Sequence, residues 1–279
     1  MKAAQAGHSL SLRATLTRPQ EWSPRADGRV QGQRWWLGRS HPLSMFDFTY
    51  LLFLAPGLLL SMWAASRVKS TFRKYQSIGV QSRMTGAQAA AAVCRAGGAN
   101  VTIERVGGFL SDHYDPRTKT LRLSPDVYDG RTISSIAVGA HEAGHAIQDA
   151  TDYAWLRMRS AIVPAVQFGS KLYIWPIIIG LGIQGVLGST LMLVGIGLLG
   201  LTVVFQLVTL PVEFDASNRA KKVLEQTGIA SSDAERHGVD KVLDAAALTY
   251  VASAVSSLAT LAYFVLLFLR RTRGASRER

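Results

Sequence analysis

One cysteine, Cys94, stands in the 279 residues, which excludes an intramolecular disulfide and a cysteine-rich metal site. Any metal must therefore be held by histidine and carboxylates, and Cys94, inside an Ala-rich helical stretch, reads as a small core residue. Acidic residues are also scarce, with 19 Asp and Glu against 31 Lys and Arg and a formal charge of +12. Such a surplus can mark a nucleic-acid binder, but zinc-finger spacing and an aromatic-plus-basic RNA-binding pattern are both missing. The basic residues flank apolar blocks instead: Arg67, Lys69, Arg73 and Lys74; Arg157 and Arg159; Arg270, Arg271 and Arg273. There they would anchor helix ends against anionic headgroups. The expected partner is a lipid bilayer and not nucleic acid. A G-x-x-x-x-G-K-[ST] phosphate loop is absent as well, so no ATP is expected.

What is present is organised in blocks. Residues 1–44 carry Arg13, Arg18, Arg25, Arg29, Arg34 and Arg39 among Gly, Pro, Ser and Gln, with little periodicity. They read as a disordered basic extension. Met45 directly precedes the first apolar block, so the expectation is that the natural chain starts there. The block 46–65 has about the 20 residues that cross a bilayer, with Trp63 at one interface. Residues 66–160 read as the soluble portion. Thr85-Gly86-Ala87-Gln88 opens a helix that Gly97-Gly98 ends. Extended runs at 101–106 and 119–123 flank the turn-like Asp112-His113-Tyr114-Asp115-Pro116-Arg117, giving a small hairpin or meander. A helix is then expected from about Thr132 through Ala150. Two spans are expected within 165–210, joined by a turn near Gly185–Ser189. A helical segment over 211–247, a fourth span over 248–269 and a basic tail over 270–279 complete the order.

The chemistry gathers at His141-Glu142-Ala143-Gly144-His145. On a helix, residues four apart share a face, so both imidazoles can reach one Zn²⁺. Glu142 then stands beside the activated water as general base. A catalytic zinc takes three protein ligands, and the third must be His, Asp or Glu. Asp149 and Asp152 follow closely; Asp149 would share the face of His145 and could orient its ring. Glu213 is the better ligand, because it leaves an apolar block just after Pro211. The bland alternative is a carboxylate stabilised at a helix N-terminus. Ser217, one turn on, could hydrogen-bond within the site. His113 and Tyr114 are weaker candidates for a transition-state donor, and His237 reads as a helix-end residue. The run Thr120–Leu123 could be an edge strand that pairs with substrate backbone.

The stretches SDHYDPRTKTLRLSPDVYDGRTI, AHEAGHAIQDATDYAWLRMRSAIVPAVQFGS and LPVEFDASNRAKKVL resemble the YugP-like family of membrane neutral zinc metallopeptidases. The resemblance covers Met45 to about Leu269. It implies one zinc per chain on His141, His145 and Glu213, with Glu142 as general base. The Glu213 segment is also similar to the E-x-x-A-D pattern of HtpX-type and CAAX-prenyl-type membrane peptidases, with Ser217 where those have Asp.

The fold class that follows is a mainly α membrane protein: about four transmembrane helices and a zincin-like α+β catalytic portion with a small sheet and the HExxH helix. The expected activity is a zinc-dependent endopeptidase acting on peptides or membrane proteins at the membrane surface. Its rivals are a zinc hydrolase of a lipid-linked amide and a catalytically silent membrane scaffold. Basic residues around the first three spans favour a multi-pass protein of the cell membrane with its catalytic portion in the cytoplasm, while the Arg-rich C-terminal tail argues for the opposite orientation.

Overall fold

The computed structural model describes residues 48–277; the expectations for the basic extension, for Met45 and for the start of the first span lie outside them. Helix α1 (Phe48–Gln76) runs into α2 (Gly86–Ala96). The Thr85 hydroxyl accepts from the Gln88 amide while the Gln88 side chain accepts from Thr85 N–H, a reciprocal capping box. Three short strands follow, β1 (Thr102–Arg105), β2 (His113–Asp115) and β3 (Thr120–Leu123), then α3 (Pro125–Tyr128) and α4 (Ile133–Ala150). The remainder is α5 (Ala154–Leu172), α6 (Ile174–Gly182), α7 (Gly185–Gln226) and α8 (Asp233–Arg277).

The sheet order is β1-β3-β2, with β1 parallel and β2 antiparallel to β3. Thr120–Leu123 is therefore the central strand and not an edge. Thr120, Leu121 and Leu123 are buried, and backbone groups on both sides of the strand are already paired, so it offers no free edge to a substrate. Part of the segment expected as a turn, His113–Asp115, is itself a strand, and the chain reverses at Pro116–Lys119.

Four stretches are long and apolar enough to cross a membrane: Thr49–Gln76, Ala154–Gly182, Gly185–Gln226 and Asp233–Gly274. Large apolar side chains on them face outward, among them Leu52, Leu59, Phe168, Trp175, Val186 and Leu187. Such a surface suits lipid rather than water. The connection between the second and third stretches is tighter than expected: α6 ends at Gly182 and α7 begins at Gly185, whose φ of 80° only glycine adopts without strain. Where the sequence places a new helix after Pro211, α7 continues unbroken through that proline, because neighbouring helices hold the local backbone in place. Likewise α8 is one helix from the polar segment through the last span.

Helix α4 is almost wholly buried. Thr132 caps its N-terminus by accepting from Ser135 N–H, and the Ser134 hydroxyl donates to the Phe72 carbonyl of α1 at 2.7 Å. These bonds fix α4 against the end of the first span. Burial around Cys94 holds its thiol up at about 12, so it stays protonated, as a core residue does.

Candidate metal centre

Two helices build the centre. One turn of α4 presents His141 and His145 with ring centroids 4.8 Å apart. Helix α7 brings Glu213, its side chain 3% exposed, against both: Oε2 lies 3.2 Å from His141 Nε2 and 3.4 Å from His145 Nε2. Among the described residues, these are the three whose ligand atoms all lie within 4.8 Å of one another. Two ligand atoms about 2.1 Å from one ion at the tetrahedral angle lie about 3.4 Å apart. The spacing and the donor set thus suit zinc.

The outer partners fix which atoms face inward. Gln148 is fully buried, and its Nε2 donates to the Val212 carbonyl at 2.7 Å and to Asp215 Oδ2 at 2.8 Å. Its Oε1 must then accept from His145 Nδ1, 3.0 Å away. With Nδ1 so engaged, a His145 that ligates metal turns the lone pair of Nε2 toward a carboxylate oxygen, an acceptor facing an acceptor, which a cation between them satisfies. His141 Nδ1 meets the Ser217 hydroxyl at 3.1 Å. The other carboxylate oxygen of Glu213, Oε1, accepts from Arg159 Nη1 of α5 at 3.0 Å, and Tyr250 of α8 lies beside the same carboxylate.

Glu142 is buried beside His141, and the two open onto one cavity. Burial pushes its carboxyl up to about 7; the Glu213 and Asp112 carboxylates add to the rise and the His141 imidazole opposes it.

Of the other candidates, Ser217 reaches the site as the helical spacing suggests. Asp149 does not orient His145: it accepts from the Tyr114 hydroxyl at 2.6 Å and pairs with Lys119. Tyr114 is therefore engaged elsewhere, and His113 Nδ1 bonds to the Ser111 carbonyl. Asp152 is exposed near Arg157, and His237 is exposed on the first turns of α8. Sequence reasoning misses Gln148, Arg159 and Tyr250. Gln148 had a signal, since it lies three residues from His145 on the same helical face; the other two arrive from separate helices and had none.

Replacing Gln148 with leucine should weaken zinc binding by about 10- to 100-fold, with α-helical content unchanged. Chelator competition on the purified protein reads this directly. Wild-type resistance to the chelator would show that the His145 ring needs no such anchor.

Long apolar helices around a buried His–His–Glu cluster define a mainly α membrane protein with a centre fit for zinc. The family model described as "Putative neutral zinc metallopeptidase" matches residues 50–269, and the chain belongs to that family. It is 44% identical over 225 residues to the "Putative membrane protease YugP" of Bacillus subtilis (strain 168), covering 80% of this chain and 96% of that protein. A short match, 40% identical over 48 residues, covers 17% of this chain and 9% of the "AP2-like ethylene-responsive transcription factor AIL7" of Arabidopsis thaliana; a stretch that short carries no family. No solved structure matches the chain.

Proposed function

We propose that the chain is a membrane-embedded zinc endopeptidase that hydrolyses peptide bonds at the membrane surface. His141, His145 and Glu213 hold one zinc, and Glu142 is the general base. The observation that carries this reading is the convergence of two imidazole Nε2 atoms on one oxygen of a buried carboxylate. Bound there, zinc supplies the Lewis acidity that lowers the pKa of a water and polarises a peptide carbonyl. Glu142, facing the cavity beside His141, takes the proton of the attacking water and returns it to the leaving amine. Arg159 holds Glu213 Oε1, which leaves Oε2 turned toward the imidazoles. Gln148 and Ser217 hold the outer nitrogens of the two rings.

The placement at the surface has a structural basis. Val68 and Phe72 follow the apolar part of α1, Arg159 precedes that of α5, Glu213 follows that of α7, and Tyr250 lies at the start of that of α8. The site thus gathers at one end of all four spans. Arg67, Lys69, Arg73 and Lys74 at the same end favour the cytoplasmic side. Protease added outside intact cells should therefore leave the 77–153 segment uncut, and cleavage there would reverse the orientation.

The test of the activity is metal content and casein cleavage by detergent-purified protein. Wild type should carry about one zinc per chain and cleave, and Glu213→Gln should lose most of its metal, since neutral amide oxygen is a far weaker zinc ligand than carboxylate. Zinc without cleavage of any peptide would move the reading to a lipid-linked amide. Absence of zinc from wild type would leave a membrane scaffold.

A further inference from the structure

A cavity of about 250 Å³ opens beside Glu142 and His141. Its walls come from four parts of the chain: Val68 and Phe72 of α1, Leu110 of the β1–β2 loop, Val138 of α4, and Leu243 and Ala246 of α8. Clefts for drug-sized ligands start at about 300 Å³, so this one has room for a single large side chain. Most of its lining residues are aliphatic or aromatic, the polar ones are Asp112, His141, Glu142, Thr249 and Tyr250, and none is a lysine or arginine.

Glu142 apart, the polar groups that share it already have partners. Asp112 accepts from Ser124 N–H at 2.7 Å and from the Ser124 hydroxyl at 3.1 Å. Burial also raises the Asp112 carboxyl above the usual carboxylate range, which favours its neutral form. Tyr250 lies beside Glu213, and the Thr249 hydroxyl donates to the Ala246 carbonyl at 2.7 Å. An acidic side chain would face Glu142 and Asp112 without a cation, and a basic one would lose its hydration for Asp112, which Ser124 already occupies, and for Glu142, which the proposed reaction needs free.

We propose that this cavity is the subsite for the substrate residue flanking the scissile bond, and that it takes a large apolar side chain: leucine, methionine or phenylalanine. The inference rests on the peptidase reading and extends it to a substrate class. Because Glu142 and His141 form part of the wall, a side chain seated there brings its own backbone to the reacting groups. Phe72, itself stacked edge-on against Phe109 at 5.7 Å, adds an aromatic ring to the wall. Apolar residues are the ones that abound in chain emerging from a bilayer, and α1 and α8, which form most of the wall, are two of the candidate spans.

The test is a peptide set that varies one residue on either side of a single cleavable bond, assayed with zinc-loaded protein. Leucine, methionine or phenylalanine on one side should raise kcat/KM at least tenfold over glycine, aspartate or lysine, in line with the roughly 10- to 200-fold that hydrophobic pockets discriminate. Ala246→Phe fills the cavity and should cut the ratio of phenylalanine to alanine substrate at least tenfold. Val68→Phe, on α1, should do the same if Ala246→Phe fails to fold. Binding of the same peptides to zinc-loaded Glu142→Gln protein, followed by fluorescence, reads the subsite without turnover. Loss of apolar-peptide binding on filling the cavity would support the subsite even if no peptide were cleaved, while the peptidase reading would fall. A flat profile, a preference for lysine or arginine, or ratios unmoved in both filled variants would overturn the proposal.

Discussion

Replacing Glu142 with glutamine should leave one zinc per chain and lower peptide cleavage by about 10²- to 10⁴-fold, the usual contribution of a positioned general base. The amide keeps the size of the carboxyl, so the buried packing of α4 is retained, and Glu142 is not among the three residues whose ligand atoms converge. What the substitution removes is the capacity to accept a proton. Metal analysis and cleavage assays on the same preparation separate the two effects. A variant that loses zinc would place Glu142 among the ligands, and one that keeps wild-type turnover would pass the role of base to another group.

The second large effect is expected at a residue that carries no functional group. Gly144 lies between the two histidines, and a Cβ there would sit 2.4 Å from the Ala216 carbonyl oxygen and 3.0 Å from its carbon. Ordinary contact begins at 3.4 Å, so Gly144→Ala has to push α4 and α7 apart by about 1 Å, at the overpacking cost of about 1–3 kcal/mol. Those are the helices that bring His141 and His145 to Glu213. Metal sites tolerate about 0.2 Å in ligand distance, so the separation should strip zinc from most of the protein and lower its thermal midpoint. Gly197→Ala, in α7 with nothing within 4 Å of its Cβ position, is the matched control and should change neither. Full zinc occupancy in Gly144→Ala would mean that the helices can slide without opening the centre.

Much of this molecule is legible along the chain because the relevant physics is local. The two histidines share a face because residues four apart on a helix always do. The spans are legible because a bilayer needs a long apolar run, and the α2 and α4 starts because Thr85 and Thr132 satisfy free helix N–H groups. Ser217 follows from the same helical spacing, one turn beyond Glu213.

Other features depended on which elements met in space. Periodicity cannot tell a central strand from an edge one, and only the arrival of β1 and β2 on either side made Thr120–Leu123 the centre of the sheet. The partner of His145 is Gln148 and not Asp149 because α7 offers Val212 and Asp215 to anchor the amide, while Tyr114 and Lys119 of the β2–β3 hairpin draw Asp149 away. Pro211 reads as a helix start, yet α7 passes through it, since packing against neighbouring helices outweighs one lost backbone bond. Arg159 and Tyr250 reach Glu213 from α5 and α8, and the apolar cavity exists only where α1, α4 and α8 leave a gap. The sequence by itself determined the helices, the spans and the pair of histidines, through short-range geometry and solvation. Tertiary packing decided the surroundings of the centre, because hydrogen-bond partners and cavity walls are set by distances between segments far apart in the chain.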